Sequence, residues 1–129
     1  MAVLLDTHAV LWFLSDDDRL SKRARTVLER EEDLFFSPVS LWEIGIKLGL
    51  NRPGFQLSEG WWRDIPQELT AQNIGRLELR PEDFREVARL PLLHRDPFDR
   101  MLVVQAMNGE HAILSMDHQL ARYGVKVIW

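Results

Sequence analysis

Val3-Leu4-Leu5-Asp6-Thr7-His8-Ala9-Val10-Leu11-Trp12-Phe13-Leu14 is the stretch on which the fold turns. It opens with a short apolar run, Asp6-Thr7 interrupts the run, and Val10, Leu11, Phe13 and Leu14 then recur at positions that suit a helix. The stretch reads as a buried strand feeding a helix, with a carboxylate at the junction. The same order repeats downstream. Ser15-Asp16-Asp17-Asp18 is a polar turn, Ser21 can cap a helix running through Val27 and Leu28 towards Arg30, and Leu34-Phe35-Phe36 is a second buried strand. Ser37-Pro38 supplies an N-cap and a proline at the first helical position, for a helix reaching about Leu48. Gly49 and residues 51–54, Arg52 among them, break it.

Further on, the pattern predicts a helix over Ser58 to Ala71, with Pro66 as a break or restart, and a short strand over Arg76 to Leu79. Helices follow over Pro81 to Leu90 and Asp96 to Met107. A strand over Ala112 to Ser115, one helical turn over His118 to Ala121 and a strand over Lys126 to Trp129 end the chain. Strands alternating with helices imply a three-layer α/β/α domain with a mainly parallel central sheet. At 129 residues the chain is most simply one domain, 1–129.

Composition excludes several classes. An apolar fraction of 46% and a charged fraction of 28% suit a soluble globular protein, and no apolar run approaches the ~18 residues of a membrane span. The first residues lack the basic leader of a secretory signal. Zero cysteines exclude disulfides and thiolate metal sites and fit a cytoplasmic location. A net charge of -4 argues against binding nucleic acid mainly through a basic surface. It is compatible with a nuclease whose acids are neutralised by their own metal. Arg19, Lys22, Arg23, Arg25, Lys47, Arg52, Arg95 and Arg100 are the candidate cations around such a site.

The chemistry lies in the acids. Asp6, Glu43, Asp96, Asp99 and Asp117 each lie just after a strand or in the early turns of the next helix, and a parallel sheet brings the carboxyl ends of its strands to one edge. Acids gathered there repel one another, and a hard divalent cation relieves them; an all-oxygen donor set suits Mg²⁺ or Mn²⁺ better than zinc. Each acid also has a local reading. Asp6 and Asp117 can be caps, and Asp96-Pro97-Phe98-Asp99 places acids at the N-cap and third position of a helix. Glu43 can pair with Lys47 four residues on. Glu43, however, shares with Ser40 and Lys47 the one polar stripe of a helix otherwise apolar at Val39, Leu41, Trp42, Ile44, Ile46 and Leu48. An inward-facing acid needs a partner.

Other chemistries lack signatures. His8, His94, His111 and His118 show no HxxxH or HxH spacing, so surface or supporting roles are expected of them. The glycine-rich phosphate loops and the GxSxG elbow are absent. The adjacent Trp61 and Trp62 cannot fully share one direction on a helix, and a subunit contact is an expectation for one of them.

Leu4-Leu5-Asp6-Thr7-His8, Ser40-Leu41-Trp42-Glu43-Ile44, His94-Arg95-Asp96-Pro97-Phe98-Asp99-Arg100-Met101-Leu102 and Ser115-Met116-Asp117, in this order and spacing, resemble the PIN-domain ribonucleases. They look most like the VapC toxins of type II toxin–antitoxin pairs, over essentially the whole chain. The resemblance implies metal-site acids at Asp6, Glu43, Asp99 and Asp117, with Asp96 as an auxiliary acid. It implies that Thr7 and Ser115 orient neighbouring carboxylates. It further implies Mg²⁺-assisted, or Mn²⁺-assisted, hydrolysis of single-stranded or looped RNA, a homodimer and silencing by a cognate antitoxin. Lys47 and Arg100, within a helical turn of Glu43 and Asp99, are expected at an RNA-facing rim together with Arg95. The competing expectations are a Mg²⁺-dependent phosphatase or phosphoacceptor domain, for which Asp6-Thr7-His8 lacks the usual paired acid, a PIN nuclease of RNA processing, and a non-catalytic RNA-binding module.

Overall fold

A computed structural model describes residues 1–31, 33–51 and 56–129. The expected cation Arg52 and most of the break after the third helix lie outside the described residues. Strands β1 (Val3–Leu5), β2 (Leu34–Phe36), β3 (Gly75–Arg76), β4 (Ala112–Leu114) and β5 (Val127–Ile128) form one sheet in the order β3-β2-β1-β4-β5. Every pairing is parallel, with Leu4 opposite Phe35 on one side and Ile113 on the other. Helices α1 (Thr7–Leu14), α2 (Lys22–Arg30), α3 (Pro38–Gly49), α4 (Trp61–Ala71), α5 (Pro81–Arg89) and α6 (Pro97–Gly109) provide the connections, and a 3₁₀ turn spans His118–Tyr123.

The strands are apolar at every position of β1 and β4 because both faces are covered. Val3 and Leu5, Leu34 and Phe36, and Ala112 and Leu114 point into one core with Val10, Trp12, Ala24, Ile65 and Leu69 of α1, α2 and α4. Leu4, Phe35 and Ile113 alternate into the other, against Leu102, Val103 and Ala106 of α6 and Val87 of α5. This is the three-layer α/β/α architecture. No helix among the described residues is long and apolar enough to cross a membrane.

Local chemistry sets the helix starts. Ser21 accepts the Ala24 N–H at 3.0 Å, Ser37 accepts that of Val39 at 3.1 Å ahead of Pro38, and Asp96 accepts those of Phe98 and Asp99 ahead of Pro97. Some boundaries differ from the sequence pattern. Helix α4 begins at Trp61 rather than Ser58 and continues through Pro66; proline removes one N–H, and the Trp62 carbonyl it leaves without that donor belongs to an exposed residue that solvent can reach. Strand β3 covers only Gly75–Arg76, with Leu77 N–H still bonded to the Phe36 carbonyl. Of the tryptophan pair, Trp61 packs against the first core and Trp62 is 61% exposed.

Helix α3 buries polar as well as apolar residues. Ser40 and Glu43 are buried with Val39 and Ile44, whereas Trp42 is 61% exposed, and Ile46 and Leu50 are also exposed. Its polar stripe faces the protein interior, and an apolar stripe at intervals of four residues faces solvent.

Candidate active site: an acidic crevice at the strand ends

Strands β1 and β4 are neighbours, and from β1 the chain order proceeds to β2 and β3 on one side and to β4 and β5 on the other. The carboxyl ends of β1 and β4 therefore flank the switch point where parallel sheets open a crevice. Asp6, the residue after β1, donates its N–H to the Leu114 carbonyl at 3.1 Å, which sets it beside Ser115. Asp117 follows β4 by three residues, Glu43 lies in the second turn of the helix after β2, and Asp96 and Asp99 lie at the start of α6. The crevice measures about 380 Å³ and is lined by Asp6, Thr7, His8, Glu43, Lys47, Asp96, Asp99, Met116 and Asp117.

Each acid is held. Asp6 is 6% exposed and accepts the Ala9 N–H at 2.8 Å as the cap of α1, with the Ser115 hydroxyl close enough to favour its ionised form. Glu43 is gripped on both oxygens: the Thr7 hydroxyl donates to Oε1 at 2.6 Å and Lys47 Nζ meets Oε2 at 2.6 Å. Asp117 accepts the Gln119 N–H at 3.0 Å on Oδ1, while its own N–H donates to Ser115 Oγ at 3.0 Å. Ser115 thus links the acid after β1 to the acid after β4.

Residues 3–126 match the family model of the PIN domain. The chain belongs to the PIN-domain family. Its members are generally nucleases. No curated protein matches the chain. Among solved structures, a chain in "Structure of FitAB bound to IR36 DNA fragment" is similar at 15% identity and a TM-score of 0.65, over 97% of this chain and 92% of its own. A chain in "Crystal Structure of FitAcB from Neisseria gonorrhoeae" is similar at 16% identity and a TM-score of 0.59, over 97% and 95%. At that identity the likeness is one of fold.

The electrostatics of this PIN domain fit a resident cation. Burial, opposed by the Ser115 and Ala9 hydrogen bonds, pushes Asp6 above the usual carboxylate range. Asp99 is pushed up to about 7, first by burial and then by the negative charges of Asp96, Asp6 and Glu43. Carboxylates this reluctant to ionise, all offering hard oxygens to one space, match the donor chemistry of Mg²⁺ or Mn²⁺.

One position departs from the sequence reading, and another is given a definite place. Arg100 was expected at the RNA-facing rim, but its guanidinium is engaged by the carbonyls of Pro91 at 2.8 Å, Leu90 at 3.1 Å and Val87 at 3.3 Å, and by Tyr123 Oη at 3.1 Å. It ties the end of α5 to α6, because adjacent residues on a helix point about 100° apart and Arg100 cannot follow Asp99 into the crevice. The second is His94, for which the sequence predicts a surface or supporting role and which the fold brings to the crevice acids. Its Nε2 lies 2.7 Å from Asp117 Oδ2 and 3.7 Å from Asp99 Oδ2. Ser40 Oγ, 3.0 Å from the Thr7 hydroxyl, completes the buried polar set.

Proposed function

We propose that this PIN domain, spanning residues 1–129, is a metal-dependent endoribonuclease and the VapC-type toxin of a toxin–antitoxin pair, inhibiting translation in the cytoplasm. The observation that supports the nuclease reading is the convergence of Asp6, Glu43, Asp99 and Asp117 on one crevice beside the ends of β1 and β4. These residues hold Mg²⁺, or Mn²⁺ in its place, and Asp96 contributes as an auxiliary acid. When bound, the ion supplies a Lewis acid for the scissile phosphate and lowers the pKa of an attacking water.

The chain does the rest. Thr7 and Lys47 fix both oxygens of Glu43, the Ala9 N–H fixes Asp6, and Ser115 Oγ fixes the backbone of Asp117, so the donors are preset for an ion. Lys47 is paired with Glu43 yet about one-third exposed in the crevice, which leaves its ammonium available to a substrate phosphate. Arg95, exposed just before α6, adds a second contact to the RNA backbone. A crevice of this size at a sheet edge takes a bent single strand or a loop in preference to a stiff duplex.

The toxin assignment rests on the four ordered acidic motifs and their VapC-like spacing. The exposed Trp42 and Ile46 on α3, Leu50 just after it and Trp62 on α4 support protein partners, namely a second copy of the chain and an antitoxin. The test is cleavage of a looped RNA by purified protein. Cleavage is expected with Mg²⁺ or Mn²⁺, none in EDTA, and none by the Glu43→Gln variant. Equal cleavage in chelator by protein and variant alike would refute the reading.

A further inference from the structure

The loop Pro91-Leu92-Leu93-His94-Arg95-Asp96 enters α6 without strand or helix structure of its own, yet it is held at several points. Tyr123 Oη accepts the N–H groups of Leu93 at 3.1 Å and His94 at 2.9 Å, and Arg100 Nη1 reaches both that oxygen and the Pro91 carbonyl. The outcome is a side chain, His94, placed between two acids that arrive from different elements: Asp99 on α6 and Asp117 after β4.

We propose that His94 is a positioning residue that clamps the Asp117 carboxylate beside Asp99 through a donated Nε2–H, and so preforms the cation site; this rests on the metal-site reading above. The tautomer follows from the hydrogen bonds. Asp96 N–H donates to His94 Nδ1 at 3.1 Å, so Nδ1 carries the lone pair and Nε2 carries the proton. That N–H is aimed at Asp117 Oδ2 at 2.7 Å, with Asp99 Oδ2 at 3.7 Å. Nε2, Asp99 and Asp117 come within 4.8 Å of one another, a spacing that a shared ion could also occupy. Direct ligation, however, needs a lone pair on Nε2, which the proton occupies. Asp117 requires such a clamp. It sits on a short 3₁₀ turn with its side chain 37% exposed, and the Gln119 N–H restrains only Oδ1. With Oδ2 also held, both oxygens are oriented, and the like charges of Asp117 and Asp99 are kept together by the N–H dipole between them. A chance surface histidine would not have its backbone amide, its Nδ1 and its Nε2 all bonded with the side chain only 17% exposed.

The experiment is Mn²⁺ binding by the full chain, without RNA, followed by calorimetry and by the electron spin resonance of the bound ion, with folding checked by circular dichroism. His94→Ala should weaken Mn²⁺ binding by about 10-fold to 100-fold, the range for losing a residue that orients a metal ligand. His94→Gln, whose amide N–H can stand where Nε2–H stands, should recover most of the loss. Tyr123→Phe, which frees the loop without touching the crevice, should weaken binding a few-fold and decides the matter if His94→Ala does not fold. Unchanged affinity in His94→Ala, or in Tyr123→Phe where it must decide, overturns the proposal. A His94→Gln variant that folds but binds as poorly as His94→Ala overturns it in favour of direct ligation. A parent protein that binds no Mn²⁺ overturns the metal-site reading and this proposal together. Variants behaving as expected in a protein that cleaves no RNA would sink the ribonuclease assignment alone and leave the clamp standing.

Discussion

Asp99→Asn should make the metal-free protein more stable at neutral pH while removing a proposed metal ligand. Asp99 titrates near 7 in the folded chain against 3.8 for the unperturbed group, so folding favours its neutral form. The stability attached to that form is fully present below about pH 4 and is lost as pH rises through about 7. A shift from 3.8 to about 7 corresponds to about 4 kcal/mol at 1.36 kcal/mol per unit. Two effects reduce it. The side chain is 21% exposed, so solvent screens part of the repulsion. The charge also gains roughly 0.3–1 kcal/mol from the first turn of α6. A net gain of about 2–3 kcal/mol for the variant remains, on the order of 10 °C in Tm for a chain of this length. The assay is thermal unfolding by circular dichroism in EDTA from pH 4 to pH 8, on parent and variant side by side. Their Tm values should coincide at pH 4 and separate progressively to pH 8. Adding Mn²⁺ at pH 8 should raise the parent far more than the variant. A separation independent of pH, or a parent as stable as the variant in EDTA at pH 8, would refute the electrostatic account of Asp99.

Asp96→Asn should keep the cap of α6, since asparagine accepts the Phe98 and Asp99 N–H groups as well, and should retain measurable cleavage where Asp99→Asn retains none; an inactive Asp96→Asn beside a fully active Asp99→Asn would reverse the two roles. Lys47→Ala should weaken RNA binding and lower the slope of log affinity against log salt by about 1, measured by filter binding. Arg100→Ala should leave that slope unchanged and instead destabilise the fold by about 0.5–1.5 kcal/mol in urea titration, because it removes the hydrogen bonds to the part-buried Val87 and Leu90 carbonyls.

What could be read in advance follows the range of the interactions. The caps at Ser21, Ser37 and Asp96 are settled within four residues, and the residue order displays them directly. The placement of Asp6 and Asp117 at strand ends follows from alternation of strands and helices once the sheet is parallel. The orientation of α3 does not follow. With Val39, Trp42, Ile44 and Ile46 spread around its circumference, hydrophobicity gives no preferred face, and burial of Glu43 is decided by Thr7 and Ser40 from outside and within the helix. Arg100 misleads because it is adjacent to Asp99 in sequence and about 100° away in space. His94 carries no ligand spacing because its partner is 23 residues further on, brought to it by the end of β4. Pro66, a strong breaker locally, is overruled by the packing of Ile65 and Leu69 on the same helix.

The central position of β1 has a bearing on the order in which the crevice is assembled. Its first strand pairs on one side with β2, some thirty residues later, and on the other with β4 at Ala112–Leu114. During synthesis from the amino terminus, Asp6, Glu43 and Asp99 all emerge while the slot beside β1 is still empty. Asp117 and the Ser115 hydroxyl that steadies Asp6 arrive only with β4, and the Tyr123 hydroxyl that holds the His94 loop arrives later still. A chain synthesised only as far as α6 therefore lacks Asp117 and Ser115, and its acidic set is incomplete. The crossing of the sheet order at β1 thus leaves the acidic set of the crevice open until the chain has returned through β4.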